Sequence, residues 1–294
     1  MEMSGTEDLF LESPHGRIHY RYSGRGRSGT PLLVLHGGPG ASCDYLINIE
    51  KLSVERPVIL YDQLGCGKSD RNPDKSLWAT EYFVKELDFI RKSLGLEGYL
   101  HILGQSWGTT LAVLYMLRMN PTGIKGLVLV SPCLSALRFE ADQRKHLSEL
   151  PGGIEKTVLE CESRHDCESE TYKEAMNTFY RNFLCRLDPW PECLLSTFGN
   201  MNAEMYNYMW GSSEFTVSGT IKGLDCCPEL GKINVPVLLT CGRFDESTPE
   251  TTEYCRSCFP NAEMKVFEDS SHFHHVEKEK EFLGSLKDFL CRND

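Results

Sequence analysis

The sequence predicts an α/β fold, a mostly parallel central sheet flanked by helices, with a helical cap inserted late in the chain. Three observations carry the prediction. Short continuous apolar runs recur and end in loops rich in glycine and aspartate. Segments with apolar residues at helical spacing lie between them. One long block, 133–228, is polar, charged and aromatic and lacks clear strand runs. Continuous apolar runs suit strands that helices cover on both faces. Strand–helix alternation broken by one helical block suits an α/β layer with an insertion.

In chain order, Leu32–Leu35 is the first buried-strand run and ends in Gly37-Gly38-Pro39-Gly40. Pro57–Tyr61 is the second and ends in Asp62-Gln63-Leu64-Gly65. Phe83, Leu87, Ile90 and Leu94 mark a helix over 81–94. Tyr99–Leu103 is the third strand run. Leu111–Met119 is an apolar helix stopped at Asn120-Pro121. Gly126–Val130 is the fourth strand run, followed by Ser131-Pro132. These elements assign 1–132 to the sheet domain and 133–228 to the cap, which holds Trp190 and Trp210. Residues 229–294 return to the sheet domain with Val235–Leu239 and Met264–Phe267. A closing helix there has Phe282, Leu283, Leu286, Phe289 and Leu290 on one face.

A chain of 294 residues is long enough to bury a sizeable core without disulfide staples. Its net charge of −11, with 31 basic and 42 acidic residues, and the lack of any lysine or arginine run argue against nucleic acid as a partner. Arg25 and Arg27 in their glycine-rich turn read as a solvated loop. No apolar run reaches the ~18 residues of a membrane span. Met1–Asp8 is acidic and lacks the apolar stretch of a signal peptide. The thirteen cysteines are therefore expected as reduced thiols in the cytoplasm. Cys255 and Cys258 form a lone C-x-x-C without a second pair. His272, His274 and His275 lack a carboxylate or cysteine to complete a recognisable ligand set. Neither a metal nor an organic cofactor is expected.

The chemistry centres on Gly104-Gln105-Ser106-Trp107-Gly108. A G-x-S-x-G pentad alone is a weak signal. Here it follows the run Tyr99–Leu103 and opens a helix near Thr109, which is the strand–turn–helix setting of a nucleophile elbow. Glycines flank the serine because the turn leaves no room for a Cβ. A serine nucleophile needs a histidine base and an acid to orient it, in the order Ser, acid, His for the α/β-hydrolase fold. Asp245 follows the run Val235–Leu239, and His272 follows Met264–Phe267. Both lie where parallel sheets place their chemistry. Trp107, next to the serine, and Gly38, in the early glycine loop, are the expected N–H donors of an oxyanion hole. Taken singly, the pentad can be an accidental turn, and an aspartate after a strand is commonly a helix N-cap.

Six segments, spread over almost the whole chain, resemble the proline iminopeptidase (prolyl aminopeptidase) family of α/β-hydrolases, a group that includes the archaeal tricorn-interacting aminopeptidase. They are His36-Gly37-Gly38-Pro39-Gly40, Tyr61 to Ser69, Gly104 to Gly108, Met209 to Phe215, Gly242 to Pro249, and Ser271-His272. The resemblance implies removal of an N-terminal residue, often proline, from small peptides with a free N-terminus. It assigns Ser106 as nucleophile, His272 as base and Asp245 as orienting acid. It matches Glu214 and Glu246 to the acidic pair that holds the substrate's amino group. Physically, a cationic amine beside desolvated carboxylates is anchored by charge-assisted hydrogen bonds. As plain surface carboxylates the two glutamates would need no such role. Tyr206, Tyr208 and Trp210 either wall a first-residue pocket or pack the cap. Thr109 departs modestly from the family pattern, and the cysteines of the cap are no part of it. An amino-acid amidase or carboxylesterase shares the scaffold and the triad, and a non-catalytic binding protein is the remaining alternative.

Overall fold

The computed structural model describes residues 5–294; Met1 to Ser4 of the acidic opening segment lie outside it. The chain opens with a hairpin of β1 (Glu7–Ser13) and β2 (Gly16–Ser23), paired antiparallel. Then follow β3 (Leu32–Leu35), β4 (Val58–Tyr61), β5 (Leu100–Gln105), β6 (Ile124–Val130), β7 (Val237–Gly242) and β8 (Ala262–Phe267). The eight strands form one sheet in the order β1-β2-β4-β3-β5-β6-β7-β8. β2 runs antiparallel to β4, and all the pairings from β4 through β8 are parallel.

The inner strands have the composition that burial on two faces demands. Every residue of β3, β4, β5 and β7 is buried. The hairpin differs: β1 alternates exposed and half-buried positions, with Leu9 and Leu11 turned one way. The period of two lies in the burial and not in the residue types, since Phe10 between them is apolar and exposed, and three apolar residues between Asp8 and Glu12 do not make a buried-strand run. Tyr99 lies outside β5 and is exposed, with Lys125 over its ring at 4.1 Å.

On the flanks, α1 (Thr80–Ser93) buries Phe83, Val84, Leu87 and Ile90. α2 (Trp107–Met119) is buried on every side over its first nine residues and begins at Trp107, two residues before Thr109. It ends on Asn120 in the left-handed conformation, a C-terminal cap that asparagine tolerates.

Between β6 and β7 the chain forms α3 (Ala136–Glu149), α4 (Ile154–Ser163), α5 (Glu170–Phe183), α6 (Glu192–Gly199) and α7 (Ala203–Met209). α3, α4 and α5 enclose an apolar cluster of their own, including Leu147, Val158, Met176, Phe179 and Phe215. Phe139, Met205, Met209 and Trp210 join the main core together with Trp107. The chain closes with α8 (Pro249–Cys258), α9 (His274–Glu277) and α10 (Glu279–Arg292); α10 buries Phe282, Leu286, Phe289 and Leu290. None of the described helices is long and apolar enough to cross a membrane.

Candidate active site

Ser106 sits in the turn between β5 and α2 at φ 52°, ψ −121°. A non-glycine residue held there costs of order 1–3 kcal/mol. The surroundings hold it: the Ser106 N–H donates to the Val130 carbonyl at 2.9 Å. The turn is tight enough that a Cβ on Gly104 would lie 2.2 Å from the Gly108 carbonyl oxygen. One on Gly108 would lie 2.3 Å from that of Leu35. Both obstacles are backbone. Gly108→Ala should therefore cost about 2 kcal/mol or more in chemical unfolding, whereas Gly98→Ala, with nothing within 4 Å, should stay within about 0.5 kcal/mol. Equal melting behaviour of the two variants would contradict this account of the elbow. Thr109 ties the turn from the other side, its hydroxyl donating to the Ser106 carbonyl at 2.6 Å and accepting from the Cys133 N–H at 3.0 Å.

The glycine loop after β3 lies against the elbow: a Cβ on Gly37 would come within 3.0 Å of the Ser106 Cβ. Gly38, at φ 109°, and Trp107 line the same cavity as Ser106. Trp107 is in the first turn of α2, whose N–H groups have no partner within the helix. Two side chains brace this arrangement. The Tyr45 hydroxyl accepts from the Gly37 N–H at 2.6 Å and donates to Gln105 Oε1 at 2.6 Å. Gln63 donates from Nε2 to the His36 carbonyl and accepts at Oε1 from Trp107 Nε1, both at 3.0 Å. His36 Nε2 accepts from the Gln63 N–H at 3.0 Å, so its proton is on Nδ1 and donates to the Gly37 carbonyl at 2.8 Å. The Asp62–Gly65 segment thus supports the glycine loop through Gln63, a contact that spacing alone does not reveal.

Asp245, on the loop after β7, is fully buried. Its Oδ1 accepts from His272 Nδ1 at 2.8 Å and from the Ser247 N–H at 3.0 Å. Its Oδ2 accepts from the Ser131 hydroxyl at 2.7 Å and the Gly242 N–H at 3.1 Å. Burial works to raise its pKa, but His272 and these donors outweigh burial and hold the carboxyl below its usual range. His272 is also buried, and its backbone N–H donates to the Phe183 carbonyl at the end of α5. Burial disfavours its imidazolium, yet the carboxylates of Asp245, Glu246 and Glu214 prevail and push it up to about 9. His274 Nε2 lies 2.9 Å from the Thr240 hydroxyl and its ring stacks on Phe267; burial pushes it down to about 4. His275 Nε2 lies 3.3 Å from the Tyr45 carbonyl. Neither histidine is arranged with His272 as a ligand set.

The two glutamates come to the same place from distant parts of the chain. Glu246 is 3% exposed, with Oε2 3.7 Å from His272 Nδ1 and Oε1 without any partner. Glu214 accepts at Oε2 from the Tyr206 hydroxyl at 2.7 Å and the Tyr180 hydroxyl at 3.1 Å. Burial raises both carboxyls. They line one cavity of about 250 Å³ with Ser106 and His272. Tyr206, Trp210 and Phe139 wall it, Phe139 edge-on to Trp210 with centroids 5.3 Å apart. Tyr208 does not: it is half exposed and packs on Trp78 outside, because α7 turns it to the opposite face. Tyr180 of α5, Leu184 just past its end and Phe198 of α6 also line it, and sequence spacing gives no hint of them.

Among the described residues, one cluster has metal-ligand spacing: His19, Cys43 and Asp62. Its donors are engaged. His19 bonds Asp62 through Nδ1 at 2.8 Å and Asp8 through Nε2, and Asp62 accepts from the N–H groups of Cys43 and Lys68. All three residues are buried and none of them lines the cavity.

Residues 30–279 match the family model of the alpha/beta hydrolase fold. The chain is 47% identical to a proline iminopeptidase of Heyndrickxia coagulans over 282 residues, 96% of this chain and 97% of that one. It superposes on the crystal structure of the Mycobacterium smegmatis proline iminopeptidase with a TM-score of 0.90 at 30% identity, covering 98% of each chain. The crystal structure of VinJ gives a TM-score of 0.93 at 32% identity, covering 98% of this chain and 99% of that one.

Proposed function

The chain belongs to the proline iminopeptidase family of α/β-hydrolases and is a prolyl aminopeptidase, and we propose that Ser106, His272 and Asp245 carry its reaction. Ser106 Oγ attacks the carbonyl of the first residue while His272 Nε2 takes its proton. The oxyanion that forms is met by the N–H groups of Gly38 and Trp107. His272 returns the proton to the departing amine, and the first residue remains as an ester on Ser106. Water, losing its proton to His272, then frees the amino acid. Asp245 keeps the Nδ1 proton in place so that Nε2 faces the serine. Glu214 and Glu246 hold the substrate's ammonium, and 133–228 is the cap that closes over it.

The observation that supports this reading over a carboxylesterase is the buried pair Glu214 and Glu246 on the same cavity as Ser106, with one glutamate oxygen lacking a donor. An ester substrate without an amine leaves that pair unused. The thirteen free thiols fit a reducing compartment, and we place the enzyme in the cytoplasm.

The reading is tested with proline p-nitroanilide and its N-acetyl twin, with and without chelator. The free amine should be cleaved on the order of 100-fold faster or more, since acetylation leaves buried carboxylates unpaired at a cost of up to ~3 kcal/mol. Chelator should change neither rate. Equal cleavage of both compounds would make this a general amidase or esterase.

A further inference from the structure

We propose that the cavity holds a second subsite, for the side chain of the residue that follows the proline, and that Phe198 gives it a preference for a large apolar residue. The subsite rests on the prolyl aminopeptidase reading above and narrows the class of peptide on which that reaction runs best.

The two sides of the cavity differ. On one, Cys133, Phe139, Trp210 and Ile221 are all buried and belong to the same apolar core cluster as Trp107. On the other, Leu184 and Phe273 belong to a separate cluster, against which Phe198 packs. There the lining reaches the surface: Phe198 and Met201 are half-buried and Ala203 is exposed. The cavity is therefore blind on the first side and open on the second, where α6 meets α7. A substrate of an aminopeptidase has nothing ahead of its first residue, so that residue takes the blind side and the rest of the chain leaves by the open one.

A row of rings marks the way out. Phe273 lies beside His272 with centroids 5.7 Å apart, and Phe198 lies 6.4 Å from Phe273. The leaving amine takes its proton from His272, so the residue that bears it departs along this row. Phe198 is backed by Trp190 at 5.5 Å and Tyr180 at 6.3 Å. Its helix is tied to the segment that follows β3. The Ser196 hydroxyl donates to Asp44 Oδ2 at 3.0 Å, the Thr197 and Ser42 hydroxyls meet at 3.3 Å, and past the helix the Asn202 N–H donates to the Gly40 carbonyl at 2.8 Å. A ring held on several sides is a wall against which an apolar or aromatic side chain packs. Charge points the same way. Among the described residues no lysine or arginine lines the cavity, whereas two glutamates do. Arg71 donates to the Asn200 carbonyl and Lys75 pairs with Glu204, and neither is part of the lining. An acidic second residue would give up water for an apolar wall without a partner.

The test measures kcat/KM on the intact enzyme for the C-terminal amides of prolyl-phenylalanine, prolyl-glycine and prolyl-glutamate. Prolinamide is the reference, since its leaving group is ammonia and has no side chain to place. In the wild type the phenylalanine compound should exceed the glycine one about tenfold or more, and the glutamate compound should fall below both. In Phe198→Ala the phenylalanine-to-glycine ratio should shrink to about threefold or less, and the phenylalanine compound should lose more than prolinamide does. Phe198→Leu, which keeps an apolar wall, should retain most of the ratio. Equal wild-type rates for the phenylalanine and glycine compounds, with prolinamide cleaved, would overturn the subsite and leave the aminopeptidase reading standing. A ratio unmoved in Phe198→Ala, or a loss that prolinamide shares in full, would make Phe198 a packing residue of the cap and overturn its part. A folded wild type that cleaves none of the four compounds would overturn the aminopeptidase reading and the subsite with it.

Discussion

Ser106→Ala should fold like the wild type and turn over proline p-nitroanilide on the order of a million-fold more slowly. The loss is this large because a triad acts as a unit. Without the hydroxyl, neither His272 nor the oxyanion donors have an intermediate to serve, and only binding and polarisation of the carbonyl remain. The fold should survive because the hydroxyl makes no cap bond to α2. The elbow is set by backbone, by the Ser106 N–H on Val130 and by the crowding at Gly104 and Gly108. Alanine has a Cβ in the same place and bears the same strain at φ 52°. Unfolding free energy should therefore stay within about 0.5 kcal/mol of the wild type. Measurable steady-state turnover in a folded, homogeneous preparation would place the nucleophile elsewhere.

Asp245→Asn should lower kcat by about 10⁴-fold, the loss known for the corresponding change in another serine protease. The hydrogen bonds around Asp245 say why. Four donors converge on its two oxygens: His272 Nδ1–H and the Ser247 N–H on one, the Ser131 hydroxyl and the Gly242 N–H on the other. An asparagine has an amide NH₂ at one of these positions and must face donors whichever way it turns. Toward His272 it demands the wrong tautomer, with the proton on Nε2 where the serine needs a base. Toward Ser131 it meets the Gly242 N–H, which cannot rotate away. The variant should therefore lose stability as well, by about 1–3 kcal/mol for the unsatisfied donors. Glu246, 3.7 Å from the same nitrogen, is the carboxylate placed to take over in part. Adding Glu246→Gln to Asp245→Asn should remove what activity remains. A single Asp245→Asn variant with nearly full activity would mean that Glu246 is the orienting acid.

The parts of this structure that sequence pattern reveals are those where local chemistry is dictated by local surroundings. β3, β4, β5, β6 and β7 read as strands because burial on both faces leaves them no polar choice at most positions. Ser106 reads as a nucleophile because the pentad follows a strand run and opens a helix, and Gly104 answers the Gly108 carbonyl one turn away. Asp245 and His272 are legible only through their position after a strand, which is a rule of the fold and not a property of either residue. What pattern does not reveal depends on contacts between remote segments. Ser131 lies 114 residues from the Asp245 carboxylate it steadies, and Gln63 lies 44 from the indole it braces. Tyr180 reaches Glu214 across 34 residues. No periodicity encodes such meetings, because a serine, glutamine or tyrosine on its own suits many surroundings. β1 is missed for a different reason: as an outer strand it is half wet, and its apolar run Leu9-Phe10-Leu11 is brief, lies between Asp8 and Glu12, and leaves Phe10 exposed.

The roof over the cavity has a consequence of scale. Tyr206, Trp210 and Glu214 come from the segment between β6 and β7, Ser106 and His272 from the loops after β5 and β8, and the space they line is about 250 Å³. A chamber of that size takes a single extended chain end and nothing broader. The terminus of a compact protein, packed against its own surface, cannot be threaded into it. Cleavage of folded proteins should therefore be limited by calibre before any chemistry begins, and a flexible peptide should outrun a folded protein with the same first residue.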